Sequence, residues 1–223
     1  MAPNPPQDRS KPLLRGVSHQ IAAFLSAPAA AALVMGASGG SARAAALTYG
    51  ASLLTLFAVS ATYHRPSWSP RVRRVLWRID HSAIFVLIAG TYTPFCLLLG
   101  AATGRVALAA IWIVATLGIA VSIAWPDAPK KLMAAIYVGF GWLAVPVLPM
   151  LRATIGGGAL ALLFAGGLLY SVGAVIYALR RPDPFPAVFG FHEIFHLFVI
   201  GGSAAFTVTI WVWVLPYTRA AAG

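Results

Sequence analysis

Seven long stretches of the chain contain no Asp, Glu, Lys or Arg. They cover residues 16–42, 44–64, 81–104, 106–126, 132–151, 153–179 and 194–218. Each can cross the hydrocarbon core of a bilayer as a helix, which takes about 20 residues. With 60% hydrophobic and 9% charged residues, and short joints between the stretches, no soluble domain is expected. The sequence predicts an all-α membrane protein, a bundle of seven transmembrane helices.

Positive charge is distributed unequally between the two ends of the predicted spans. Of the 16 Lys and Arg residues, twelve fall on the side of the amino terminus, and the other side holds Arg43, Arg105, Arg152 and Arg219. Loops rich in Lys and Arg stay in the cytoplasm. The amino terminus is therefore predicted to be cytoplasmic and the carboxyl terminus outside. We expect residues 1–12, which are polar and Pro-rich, to be a disordered cytoplasmic tail, and residues 13–217 to be the membrane domain.

The formal net charge of +11 would suggest a nucleic-acid partner in a polar chain. Here the basic residues are few and widely separated, so we expect membrane lipids as partners and no nucleic acid. The single cysteine, Cys96, excludes an internal disulfide and a Cys-based zinc site.

Ionisable residues within or beside the spans gather at one depth. His64 ends the second span, Asp80 directly precedes the third, and His192 and His196 lie in the first turns of the seventh. A charged side chain at mid-bilayer costs about 2.5 to 3.5 kcal/mol on insertion scales, so each needs a reason to be there. In the predicted topology all four lie near the cytoplasmic boundary, which indicates one shared site.

The residue types at this depth suit a metal ion. His192 and His196 are four apart, so both imidazoles can face one ion, and His64 supplies a third ligand. Three neutral imidazoles suit Zn²⁺ and leave a fourth position for water, as in catalytic zinc sites. Asp80 could hold or deprotonate that water, and Ser60, one turn before His64, could donate a hydrogen bond to a ligand, to Asp80 or to a carbonyl.

Simpler interpretations compete with this one. A single His in a span is more often a hydrogen-bond partner between helices. His81 lies about 100° around the helix from Asp80, so we interpret it as an interfacial or packing residue. His19, in the first turn of the first span, is also expected to have a packing role, although its depth would permit a place behind the ligands.

The string from His192 to His196 also matches HExxH, the zincin motif, in which the Glu is the general base of a metalloprotease. The motif often occurs by chance. Depth favours His64 as the third ligand, and Asp80 already supplies an acid. We therefore interpret Glu193 as an incidental neighbour near the interface.

Three segments, residues 60–64, 79–95 and 190–196, resemble the three motifs of the hemolysin III family. That family is the bacterial branch of the progestin and adiponectin receptor family. The resemblance covers nearly the whole chain. It implies a seven-helix protein of the bacterial inner membrane with a zinc ion held by three His near the cytoplasmic side, and Ser60 and Asp80 as part of the site. The wider superfamily includes alkaline ceramidases, which hydrolyse lipid amides.

Three functions remain open from the sequence. The first is zinc-dependent hydrolysis of a lipid amide or ester, with a lipid or acyl chain as ligand and a role in membrane lipid homeostasis. The second is a non-enzymatic sensor of lipid state, in which zinc is structural. The third, a channel-forming cytolysin, is implied only by the family's name, since the sequence has no amphipathic β-hairpin and no polar stripe along a helix.

Overall fold

The computed structural model describes residues 11–220, and over that range the chain is helical and contains no β-strand. The α-helices are α1 (Val17–Gly36), α2 (Gly40–His64), α3 (Pro70–Cys96), α4 (Ala101–Ala124), α5 (Lys130–Gly141), α6 (Leu148–Leu179), α7 (Phe191–Thr209) and α8 (Leu215–Ala220). Six segments of this range are long and apolar enough to cross a membrane: Val17–Gly36, Gly40–His64, Pro70–Leu99, Ala101–Ala124, Lys130–Leu179 and Phe191–Ala220. Most of the predicted tail, residues 1–10, lies outside the described residues.

The fifth of these segments, Lys130–Leu179, has 50 residues and contains two interruptions. A 3₁₀ stretch at Trp142–Val147 separates α5 from α6, and Gly156 breaks α6 with a φ of 81°. The charge-free stretches predict a boundary at Arg152 instead, and there the chain is helical. The reason is steric, because glycine tolerates a positive φ, whereas Arg152 is exposed and stays helical.

Helix α3 begins well before the charge-free stretch that predicted it. The stretch starts at residue 81, but the helix starts at Pro70, with the Ser69 hydroxyl accepting from the Val72 amide at 3.5 Å. Proline is favoured in the first turn of a helix, and serine is a preferred cap. A charge-free stretch shows only the part of a helix that lies in hydrocarbon. The first turns of α3 contain basic residues, so the stretch did not include them.

Helices α2 and α3 form the centre of the bundle. Consecutive helices from α1 to α4 pack against one another, and α7 packs against α6 and α1. Tyr49 of α2 is completely buried and belongs to the main hydrophobic cluster. A Cβ at Gly50 would lie 2.5 Å from the Cβ of Ala30 and 3.0 Å from its Cα, so α1 and α2 approach closely only because this residue is glycine.

We expect Gly50→Ala to destabilise the bundle by about 1 to 3 kcal/mol, because the new methyl group overpacks the contact between α1 and α2. The measurement is thermal unfolding of the purified protein in detergent. Gly139→Ala is the matched control, since a Cβ there meets nothing within 4 Å and alanine favours a helix. Equal unfolding temperatures for the two variants would contradict the close packing.

Candidate metal centre

Three histidines meet at one end of the bundle. His64 is the last residue of α2, and His192 and His196 lie in the first turns of α7. One ring nitrogen of each lies within 4.8 Å of the other two, and the two Nε2 atoms of His64 and His192 are 3.2 Å apart. The three residues predicted as ligands are therefore brought together, and as a group they could hold a metal ion.

The protein alone leaves part of this group unsatisfied. The Nδ1 atom of His196 is buried and has no hydrogen-bond partner among the described residues. Buried polar atoms are nearly always paired, so one without a partner requires an explanation. Imidazole nitrogens are good ligands for divalent transition metals. A bound cation, together with the water that accompanies it, fits the chemistry of this set of donors.

A fourth histidine, His19, belongs to the same cluster. Its ring stacks on that of His196, with centroids 3.6 Å apart and an interplanar angle of 8°. Its Nδ1 lies 2.8 Å from the Ser60 hydroxyl, and the residue is only 3% exposed. The expectation of a simple packing role missed this contact with Ser60. The depth of His19 was the signal available in the sequence.

Asp80 lies at the same end but outside the three-histidine group. Asp80 is 9% exposed, and its side chain lies next to that of Ser60. The Oδ2 atom is 3.7 Å from Nδ1 of His81. His81 itself stacks on Trp77, and its Nδ1 is 3.0 Å from the Trp77 carbonyl oxygen. The structure thus places Asp80 beside Ser60 on the wall of the site, where it can serve a water or a ligand.

Glu193 has partners of its own and does not join the metal group. The residue is buried, its Oε1 accepts a hydrogen bond from Nε of Arg15, and its Oε2 accepts from the Gly190 amide at 2.8 Å. It therefore caps the start of α7 and neutralises Arg15. The expectation of an incidental neighbour understated this role, because a motif of five residues does not show which cation is folded against it.

The segment before α1 is fitted tightly against the ligands. Gly16 has a φ of 79°, and a Cβ at this position would lie 2.7 Å from the Cβ of His64. Any larger residue would be strained in the backbone and would also push against His64. This glycine sets the position of Arg15 on one side and of His19 on the other.

A cavity of about 1250 Å³ extends from the histidines into the bundle. This exceeds the roughly 300 to 1,000 Å³ of ordinary small-molecule pockets. Along α3 it runs from Asp80 to Cys96, about 24 Å at 1.5 Å per residue. Beyond the polar end its wall is largely apolar, with contributions from Leu56, Leu87, Phe95, Leu151, Leu163 and Phe206. The space is therefore long and largely apolar, and the histidines lie at one end of it.

The comparisons with known proteins agree with this architecture. A family model described as Haemolysin-III related matches residues 7–207. The chain belongs to this family. It is 38% identical over 208 residues to Hemolysin-3 of Bacillus cereus, covering 92% of each chain. It is 29% identical over 169 residues to the human Monocyte to macrophage differentiation factor, covering 73% of this chain and 67% of the relative.

One plant relative is described as heptahelical. The chain is 32% identical to the Heptahelical transmembrane protein ADIPOR2 of Oryza sativa, over 70% of this chain and 76% of that one. The predicted likeness to the hemolysin III and adiponectin receptor families is thus confirmed. Together with the six apolar helical segments, it makes this chain a multi-pass membrane protein.

We expect His196→Ala to lose a bound metal ion that the wild-type protein retains at one per chain. Two ring nitrogens hold a transition metal far more weakly than three, especially where the third comes from the same helix as the second. Metal analysis of the purified protein measures the loss. His81→Ala is the control, because His81 lies outside the three-histidine group, and an equal loss in both variants would contradict the assignment.

We expect Glu193→Gln to lower stability by about 1 to 3 kcal/mol and to leave metal content unchanged. The amide keeps an acceptor for Gly190 but leaves the Arg15 charge without its partner. Thermal unfolding and metal analysis measure the two quantities, with Asp127→Asn as the exposed control, because Asp127 has no side-chain hydrogen bond or ion pair among the described residues. A fully stable Glu193→Gln protein that had lost catalysis would instead favour the metalloprotease interpretation of HExxH.

Proposed function

We propose that this member of the haemolysin-III-related family is a zinc-dependent hydrolase that cleaves an amide or ester bond of a membrane lipid and so takes part in membrane lipid homeostasis. The observation that carries the proposal is the position of three convergent imidazoles at the polar end of a long apolar cavity. A metal group that served only to join helices would need no such space beside it.

Zinc is the proposed ion because all three donors are imidazoles. Magnesium and calcium prefer oxygen ligands, whereas imidazole suits zinc, copper, iron and nickel. Among these, zinc has no redox chemistry and is commonly bound by three protein ligands in hydrolases. His64, His192 and His196 would hold it, and when bound it would supply Lewis acidity, polarising a carbonyl group and making water more acidic.

The cavity suits the apolar part of a lipid. Its length along α3, about 24 Å, is comparable with the ~30 Å thickness of the hydrocarbon core. An acyl chain in it would be shielded from water by residues such as Leu87 and Phe95. The surrounding lipid is as apolar as this wall, so the cavity determines which part of a lipid can enter rather than adding a hydrophobic driving force. The head end of such a lipid, with its amide or ester bond, would then lie beside the histidines.

The protein's own residues can carry the proton transfers. In the proposed reaction Asp80 takes a proton from the attacking water and passes it to the departing amine or alcohol as the carbonyl–heteroatom bond breaks. When His19 carries its proton on Nδ1, it donates to Ser60, whose hydroxyl is then free to donate to the substrate carbonyl or to Asp80. His19 would thus position Ser60 rather than react.

We further propose that the chain crosses the membrane seven times, with its amino terminus in the cytoplasm. Segment Lys130–Leu179 would measure about 75 Å as a single straight helix, far more than a bilayer needs. The 3₁₀ stretch and the break at Gly156 provide places for the chain to turn. The Oryza relative described as heptahelical and the excess of Lys and Arg on one side support the same count and orientation.

We expect Asp80→Asn to lower the rate of lipid hydrolysis by about 10² to 10⁴ and to keep the metal, because the amide cannot accept the proton. The measurement is fatty-acid release from ceramide and phospholipid substrates by purified, zinc-loaded protein. Asp183→Asn, outside the cavity, is the matched control and should retain the wild-type rate.

The same experiment separates hydrolysis from sensing. If wild-type protein releases no fatty acid, if chelation lowers the unfolding temperature, and if Asp80→Asn unfolds like the wild type, the zinc is structural and the hydrolase proposal fails. His64→Ala should then be far more damaging to stability than Asp80→Asn, since only the former removes a ligand.

A further inference from the structure

Five basic residues line the mouth of the cavity, next to the histidines. They come from four parts of the chain: the segment before α1, the second turn of α3, the start of α5 and the end of α6. The residues are Arg15, Arg73, Lys130, Lys131 and Arg180. All except Arg15 are exposed. The fold therefore gathers cations that are far apart in sequence around one opening.

Most of this charge has no anionic partner in the protein. Within residues 11–220, Arg15 is the only Lys or Arg with a carboxylate oxygen within salt-bridge distance, and its partner is Glu193. Apart from Asp80, the only carboxylate that lines the cavity is Asp127. Like charges are also crowded beside the opening: burial and the charges of neighbouring arginines, Arg65 first among them, lower the pKa of Lys11. Such a surface favours an anion.

The general enrichment of basic residues in cytoplasmic loops does not account for this arrangement. That enrichment concerns whole loops and does not depend on the direction of a side chain. In this structure, arginines adjacent in sequence differ in whether their side chains line the cavity. Arg73 lines it whereas Arg74 does not, and Arg180 lines it whereas Arg181 does not. The chain itself thus offers two matched pairs in which only one member faces the opening.

We propose that the mouth binds a phosphate-ester headgroup, so that the lipid whose chains occupy the cavity is an anionic phospholipid rather than a neutral lipid amide. This inference rests on the proposed function, because it names the substrate class of the same site. Guanidinium groups bind phosphate oxygens through paired, charge-assisted hydrogen bonds. A phosphate at the mouth and acyl chains in the apolar part would leave the ester linkages of the lipid near His192, between the two.

Binding, measured apart from catalysis, tests the proposal. Purified zinc-loaded protein in detergent is titrated with phosphatidylglycerol and with diacylglycerol of identical acyl chains, and native mass spectrometry gives the occupancy of each. We expect phosphatidylglycerol to bind at least tenfold more tightly. A Lys or Arg near a membrane surface contributes about fivefold to anionic lipid binding, so Arg73→Gln with Arg180→Gln should weaken it by about 25-fold. Arg74→Gln with Arg181→Gln should change it less than twofold.

Two further measurements complete the test. Competition by a soluble phosphate shows whether the mouth binds a lipid headgroup or free phosphate, and fatty-acid release separates this inference from the hydrolase proposal. Glycerol 3-phosphate offers a phosphate without acyl chains, and as a monoester it carries more negative charge than the phosphodiester of the lipid. We nevertheless expect it to compete only at concentrations far above those of the lipid. Equal binding of diacylglycerol, or equal loss in the two double variants, would overturn the inference, and so would equal competition by glycerol 3-phosphate. Selective binding without fatty-acid release would keep headgroup recognition and refute hydrolysis instead.

Discussion

A polar side chain inside hydrocarbon is tolerated only where other polar groups meet it, and this constraint organises the interior of the bundle. Besides the histidines, the described chain buries a cluster of hydroxyl groups deeper between α2, α6 and α7. The Tyr49 hydroxyl lies 2.7 Å from Thr207 Oγ1 and donates to the Ser203 carbonyl at 3.1 Å. The Tyr170 hydroxyl lies 2.8 Å from Ser203 Oγ. These bonds fix three helices against one another well away from the candidate metal centre.

The hydroxyl cluster and the three-histidine group are connected through α7, which contributes residues to both. Ser203 is seven residues after His196, two helical turns, so both lie on the same face of that helix. Bonds from Tyr49 and Tyr170 to the deeper residue set the rotation of α7 about its axis. That rotation directs His192 and His196 towards His64 of α2. The three-histidine group is thus positioned in part by neutral hydrogen bonds two turns further along α7.

Composition and charge were sufficient to predict the class of fold and the residues that converge. The membrane helices follow from the cost of charge in hydrocarbon, and His64, His192 and His196 follow from matching depth on different spans. Rotation about a helix axis was not accessible in the same way. For that reason the stacking of His19 on His196 was missed, and so was the break at Gly156, where a backbone angle rather than a charge determines the boundary.

The HExxH motif of α7 does not by itself show what its glutamate does. In a zincin the glutamate must face the metal and the substrate, whereas here Glu193 faces the start of its own helix and Arg15. The first helix and the segment before it, which supply no ligand, determine this outcome. Gly16 permits close approach, Arg15 pairs with the glutamate, and His19 stacks on His196 and contacts Ser60. Asp80 and Asp127 are the described carboxylates on the cavity wall that have no Lys or Arg within salt-bridge distance, and of the two Asp80 lies beside Ser60. The partner of Glu193 is therefore determined by the packing of α1 and the segment before it, not by the spacing of residues along α7.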